Sequence, residues 1–169
     1  MENEEIMGLR KAHLYPTKVP YYKDPIQLVR ASGSYVWDNQ GKQYLDVIGG
    51  IVSISVGHNH PRIKEKMKAM IAEDAIQHTT FLYLSQYMAE LGKKISDVAP
   101  DGLNKCYFVN SGSEANEMAI MSARVATGEQ MVVSLRHGYH GGTNVPLALC
   151  GHGTWKYPAQ PQASVVHAM

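Results

Sequence analysis

Apolar and polar positions along the chain outline its elements before any chemistry is considered. A short helix is predicted around Glu4–Leu14, after which Pro16, Pro20 and Pro25 interrupt regular structure. From Leu28 to Asp46 three β-rich runs are separated by turn residues at Ser32-Gly33 and at Asp38-Asn39-Gln40-Gly41. That spacing predicts a small antiparallel meander. Pro61 suits a first helical position, and behind it Ile63, Met67, Met70 and Ile71 share a face opposite Lys64, Lys66 and Lys68. A second amphipathic helix is predicted from about Leu84 to Val98, with Tyr87, Met88, Leu91 and Ile95 in its apolar stripe.

The pattern then changes. Cys106-Tyr107-Phe108-Val109 and Met131-Val132-Val133-Ser134-Leu135 are short apolar runs without alternation, as expected of strands buried on both faces. Between them Ser113–Thr127 reads as a small-residue helix, with Ala115, Met118, Ala119, Ser122 and Ala126 on one side. Ser164-Val165-Val166-His167 begins a further strand. Strand, helix, strand without polar alternation predicts a βαβ unit, a parallel sheet and an α/β fold. Two strands and a stub do not complete such a sheet. The chain is therefore expected to be a fragment with apolar faces left uncovered.

Composition narrows the setting. Formal net charge over the 169 residues is +1, which gives no footprint for nucleic acid or another polyanion. No apolar run approaches the roughly 18 residues of a membrane span. Cys106 and Cys150 lack CxxC spacing and are expected to be buried free thiols. The acidic start Met1-Glu2-Asn3-Glu4-Glu5 has no apolar signal core, so a reducing, cytoplasmic location is expected.

Candidate chemistry concentrates where a strand hands over to a helix, in Val109-Asn110-Ser111-Gly112-Ser113-Glu114-Ala115-Asn116-Glu117. Gly112 permits a tight turn, and Ser111 with Glu114 has the spacing of a capping box. A helix N-terminus presents unsatisfied N–H groups and about half a positive charge, which suits a phosphate, and the Ser113 hydroxyl would add a donor. The commoner use of such spacing is for Ser111 or Ser113 to cap its own helix, and both readings stand at this level. The lysine of a P-loop is absent. A second cluster, Arg136-His137-Gly138-Tyr139-His140-Gly141-Gly142-Thr143, follows the next strand and falls on the same carboxyl edge. Tyr139 between glycines could lie flat against a planar ring, or be a partly exposed residue of a glycine-rich turn. No acidic or Cys ligand accompanies His137 and His140 at a metal-binding spacing, and His58-Asn59-His60-Pro61 reads as a turn and helix start.

Five separated pieces in register resemble the N-terminal region of class III aminotransferases. They are Tyr44-Leu45-Asp46, Gly49-Gly50-Ile51, Gly57-His58-Asn59-His60-Pro61, Asn110 through Glu117, and Tyr139-His140-Gly141. Gly50 through His58, His78-Thr79-Thr80 and Thr154-Trp155-Lys156-Tyr157-Pro158 resemble most the alanine–glyoxylate aminotransferase 2 group within that family. The resemblance implies fold type I, pyridoxal 5'-phosphate as cofactor, and a homodimer with active sites at the subunit interface. It implies residues 1–60 as arm and small-domain segment, and 61–169 as the first part of a truncated cofactor-binding large domain. It further implies that Ser111, Gly112 and Ser113 hold the cofactor phosphate, that Tyr139 stacks on its ring, and that Gly50–Val56 lies near the substrate. The activity implied is amino-group transfer from an alanine-like donor to a 2-oxo acid such as glyoxylate or pyruvate. The family's catalytic lysine and ring-nitrogen aspartate are expected beyond Met169, since no lysine here has a matching context. No catalytic residue is assigned, and the chain alone is expected to be inactive. A non-catalytic truncated chain, or another class III activity such as ω-amino acid transamination or an aminomutase, are the competing expectations.

Overall fold

The protein is described by a computed structural model over residues 1–15, 20–156 and 164–169; Pro16 and the Tyr157-Pro158 pair lie outside those residues. Contacts group the chain into two compact units, Met1–Leu82 and Tyr83–Met169.

The first unit opens with helix α1 (Asn3–His13), which has Glu4 and Glu5 in its first turn and Arg10, Lys11 and His13 in its last. Those charges complement the helix dipole at both ends. Strands β1 (Leu28–Ser32), β2 (Tyr35–Asp38) and β3 (Gln43–Leu45) then form the expected antiparallel meander in the order β1-β2-β3. A register shift between Leu28 and Arg30 marks a bulge. The Arg30 guanidinium lies 3.8 Å from the centroid of the Trp37 ring, a cross-strand cation–π contact. Asp38 ties the β2–β3 turn. One of its oxygens accepts from the N–H groups of Gln40 and Lys42, and the other accepts the Tyr44 hydroxyl at 2.7 Å. The Tyr44 bond holds the Asp38 carboxyl below the usual carboxylate range, and the same bond pushes the Tyr44 hydroxyl up.

Beyond β3 the backbone winds through left-handed space in the single turn α2 (Gly49–Val52), where Gly49, Gly50, Ile51 and Val52 have φ of 55°, 61°, 59° and 66°. Glycine adopts this conformation freely, whereas a β-branched residue there costs about 1–2 kcal/mol. Asp46 braces the turn: its Oδ1 accepts from the N–H groups of Ile48 and Gly49, and its Oδ2 meets His58 Nε2 at 2.7 Å. The His58 bond, followed by that from Gly49, holds the Asp46 carboxyl below its ordinary value. His58 is itself anchored by reciprocal backbone bonds with Gly33. The His58–Pro61 stretch is thus a turn leading into helix α3 (Pro61–Ala72), with Pro61 in its first turn.

The second unit departs further from the pattern-based outline. Helix α4 (Gln86–Val98) starts two residues later than predicted, because Ser85 stays extended and its hydroxyl accepts the Met88 N–H. Cys106–Val109 is not a strand. Among the described residues no backbone pairs with it, and Cys106 is exposed rather than buried. Helix α5 (Gly112–Thr127) closes on Gly128 at φ 74°. Strands β4 (Val132–Leu135) and β5 (Val165–Ala168) pair in parallel, and helix α6 (Asn144–Leu149) between them contacts both. Only Ser134 of β4 is buried, where its hydroxyl donates to the Leu149 carbonyl at 2.7 Å. Val133 and Leu135 are exposed, so the expectation of burial on both faces fails: α6 covers one face, and no described element covers the other. The apolar stripes of α3 and α4 are likewise largely exposed, as is most of the small-residue face of α5. Among the described residues the buried apolar set is Val36, Val145, Pro146, Leu149 and Cys150.

Two outcomes follow for the first unit. Gly57 has φ 87°, and a Cβ there would sit 3.2 Å from the Gly33 backbone. Gly57→Ala is expected to lower the unfolding free energy of this unit by about 1–3 kcal/mol, read by urea denaturation through Trp37 fluorescence in a Trp155→Phe background. Asp46→Asn is expected to destabilise the protein at pH 6 and progressively less toward pH 3. The folded carboxyl is depressed, so its contribution is present above the unfolded value near ~3.9 and lost as pH falls through the lower folded one. Urea midpoints of both proteins across that range check it.

Candidate active site

The site grows from the start of α5. Ser111 is extended (φ −150°, ψ 158°), and its hydroxyl accepts the Glu114 N–H at 3.2 Å. The Glu114 carboxylate turns back and accepts the Asn110 N–H at 2.7 Å, one residue earlier than in a standard capping box. Ser111 is therefore the N-cap. Its hydroxyl oxygen is used as an acceptor while its proton remains free to be donated.

That cap leaves the next two amides open. Neither the Gly112 nor the Ser113 N–H donates to another atom among the described residues, and a Cβ built on Gly112 would meet nothing within 4 Å. Open space in front of two unpaired N–H groups, at the positive end of a sixteen-residue helix, is the geometry an anion requires.

The second cluster is fastened to the same turns. Ser113 Oγ accepts the Gly142 N–H at 3.0 Å, Asn116 Nδ2 donates to the His140 carbonyl at 2.7 Å, and the Thr143 hydroxyl donates to Glu117 at 2.7 Å. Gly141, at φ 132°, packs so closely that a Cβ there would lie 2.5 Å from Ser113 Oγ. Because Ser113 Oγ accepts from Gly142, its own O–H points its proton elsewhere. The start of α5 and the Tyr139 cluster, separate in sequence, are thus one body.

Tyr139 projects from this clamped loop and is 60% exposed. Its ring meets Trp155 edge-on, with centroids 5.5 Å apart and planes at 83°. Trp155 neighbours His152, and His152 Nε2 lies 3.2 Å from His137 Nδ1. Behind the loop Cys150 is fully buried and bonds the His140 N–H through its sulfur. A Cβ on Gly151 would overlap the Arg136 carbonyl, so the chain returns tightly upon itself there. Among the described residues no group of three or more His, Cys, Asp or Glu side chains could hold a metal ion.

The sequence reading missed the clasp residues Asn116, Glu117 and Thr143, and the pair His152 and Trp155. A signal existed for part of this. Ser113, Asn116 and Glu117 are three and four apart and share one helical face. Nothing local announced His152 or Trp155, which reach the site only because α6 returns the chain to it.

The chain resembles known proteins over nearly its whole length. Residues 18–169 match the family described as Aminotransferase class-III. The chain is 36% identical over 164 residues to the alanine–glyoxylate aminotransferase 2 homolog 2, mitochondrial, of Arabidopsis thaliana, covering 97% of this chain and 34% of the relative. It superposes on the taurine:2-oxoglutarate aminotransferase of Bifidobacterium kashiwanohense, solved in complex with PLP and glutamate. The TM-score there is 0.83 at 27% identity, over 100% of this chain and 38% of the other. For an (S)-enantioselective omega-transaminase of Thermomicrobium roseum the TM-score is 0.81 at 28% identity, over 99% and 40% of the two chains. The chain spans about a third of the length of the curated relatives it matches. The architecture is that of the N-terminal part of the fold type I transaminases. This chain belongs to the class III aminotransferase family.

Proposed function

We propose that this chain supplies the phosphate and ring subsites for pyridoxal 5'-phosphate in a transaminase. The reaction moves an amino group from an alanine-like amino acid to a 2-oxo acid such as glyoxylate or pyruvate, in a homodimer. On this reading residues 61–169 are the first part of the cofactor-binding large domain. One observation carries it: the open N–H groups of Gly112 and Ser113 and the exposed ring of Tyr139 are held together by the Ser113–Gly142, Asn116–His140 and Glu117–Thr143 bonds. A phosphorylated planar ring needs both an anion cradle and a flat surface at a fixed separation.

The residues present fit the cofactor. When bound, it supplies an electron sink for the bonds broken at the amino acid's α-carbon. Gly112 and Ser113 would donate backbone N–H groups to the phosphate, and the Ser113 hydroxyl a further bond. Ser111 keeps that turn in shape. Tyr139 would offer its π-face and exclude water from one side of the ring. Residues 1–169 bind and orient on this proposal; none of their lysines is given the amine chemistry. Other class III activities would use the same cofactor subsites, and profiling amino donors and 2-oxo acids separates them from alanine–glyoxylate transfer.

Gly112→Val fills the space before the two amides. It is expected to weaken pyridoxal 5'-phosphate binding by roughly ten- to a hundredfold, the scale of one charge-assisted hydrogen bond, while the far-ultraviolet helix signal is kept. Unchanged affinity in a calorimetric titration would reduce Ser111–Ser113 to a helix cap.

A further inference from the structure

We infer that Trp155 is a positioning residue that fixes the ring of Tyr139 for a planar, electron-poor heteroaromatic ligand, an inference that rests on the cofactor reading above. A tyrosine 60% exposed on a loop has rotamer freedom to lose when a ligand stacks on it. Here that freedom is already restricted. Trp155 meets Tyr139 at 5.5 Å with the planes at 83°, a geometry that occupies at most one face of the tyrosine and leaves the other for a ligand.

Trp155 is itself held. Its ring lies 4.8 Å from that of His152, at 51°. The His152 ring lies 5.1 Å from that of His137, and the facing nitrogens are 3.2 Å apart, so one imidazole donates and the other accepts. His137 and Tyr139 are two residues apart on the same turn. Four rings therefore close a loop: His137 to His152 to Trp155 to Tyr139, and back through the chain. The tight packing of Gly151 on the Arg136 carbonyl brings the returning segment close enough for this closure. Among the described residues no bond runs from Trp155 to the Ser111–Ser113 turn, so its effect on a ligand passes through Tyr139. It is not a catalytic residue.

Two measurements test the assignment. In the free protein with ring-labelled tyrosine, the Tyr139 ring resonances (identified by their loss in Tyr139→Phe) should carry the ring-current shift of a neighbouring indole. They should move in Trp155→Ala and move less in Trp155→Phe. Resonances that stay put in Trp155→Ala overturn the contact without reference to any cofactor. The second measurement titrates pyridoxal 5'-phosphate. The chain has two tryptophans, Trp37 and Trp155, so Trp37→Phe leaves Trp155 as sole reporter. Saturable quenching of its fluorescence is expected as the ligand stacks alongside. By calorimetry, Trp155→Ala should weaken binding about three- to tenfold, the scale of one aromatic pair, and Trp155→Phe should restore it to within about twofold. Equal affinity in parent and Trp155→Ala sinks the positioning role while the cofactor reading stands. A parent that binds no pyridoxal 5'-phosphate sinks the cofactor reading and the positioning role together.

Discussion

The site depends on the clasp between the first turns of α5 and the loop that follows β4. Three side chains on one face of α5, Ser113, Asn116 and Glu117, reach the backbone or side chains of His140, Gly142 and Thr143. Each bond crosses more than twenty residues of sequence. The clasp itself is polar, and it sits beside the contact of α5 with α6, whose Val145, Pro146 and Leu149 are buried. Directional bonds add to that packing and set the relative orientation of the two segments. Gly141 makes the close approach possible, since any side chain would strike Ser113.

Carboxylates perform the matching task in the first unit. Asp38 and Asp46 each gather two backbone N–H groups and one side-chain partner, one closing the β2–β3 turn and the other stiffening the left-handed turn after β3. Ile51 and Val52 sit in backbone that β-branched residues avoid, and both are strongly exposed. Unfavourable conformation and uncovered apolar surface in the same four residues mean that the surrounding hydrogen bonds, not local preference, maintain the turn.

Local chemistry was legible from the sequence wherever it depended on neighbours in the chain. The meander followed from its turn residues, α3 from Pro61, and the start of α5 from the Ser111–Glu114 spacing. What failed was inference about burial. An apolar run without alternation shows that a strand could be covered on both sides, not that anything covers it; among the described residues Cys106–Val109 has no strand partner, and β4 is covered on one face. Helix α6 was not predicted; it is short and carries Pro146, a residue that ordinarily interrupts a helix. Pro146 lies in the first turn, where its absent N–H would have had no helical partner in any case. The Ser111–Ser113 turn and the glycine-flanked Tyr139 were each visible alone as candidate segments. Their union was not, because it is made by long-range bonds that no spacing encodes.

The near-contact of Gly151 with Arg136 gives the intervening stretch a neck. A chain segment pinched at its base behaves as an insert: its two ends stay together whatever lies between them, and lengthening it adds only slowly to the entropy of closure. Tyr139 and the clasp partners His140, Gly142 and Thr143 fill the first half of this insert, and α6, with Leu149 and Cys150 at its close, fills the second. Residue changes or added length at the exposed start of α6, Asn144, could therefore accumulate without altering the pairing of β4 with β5. Change at the neck could not, because both strands and the site are hung from it. Divergence among relatives should fall at Asn144 and spare the neck, the clasp and the buried side of α6.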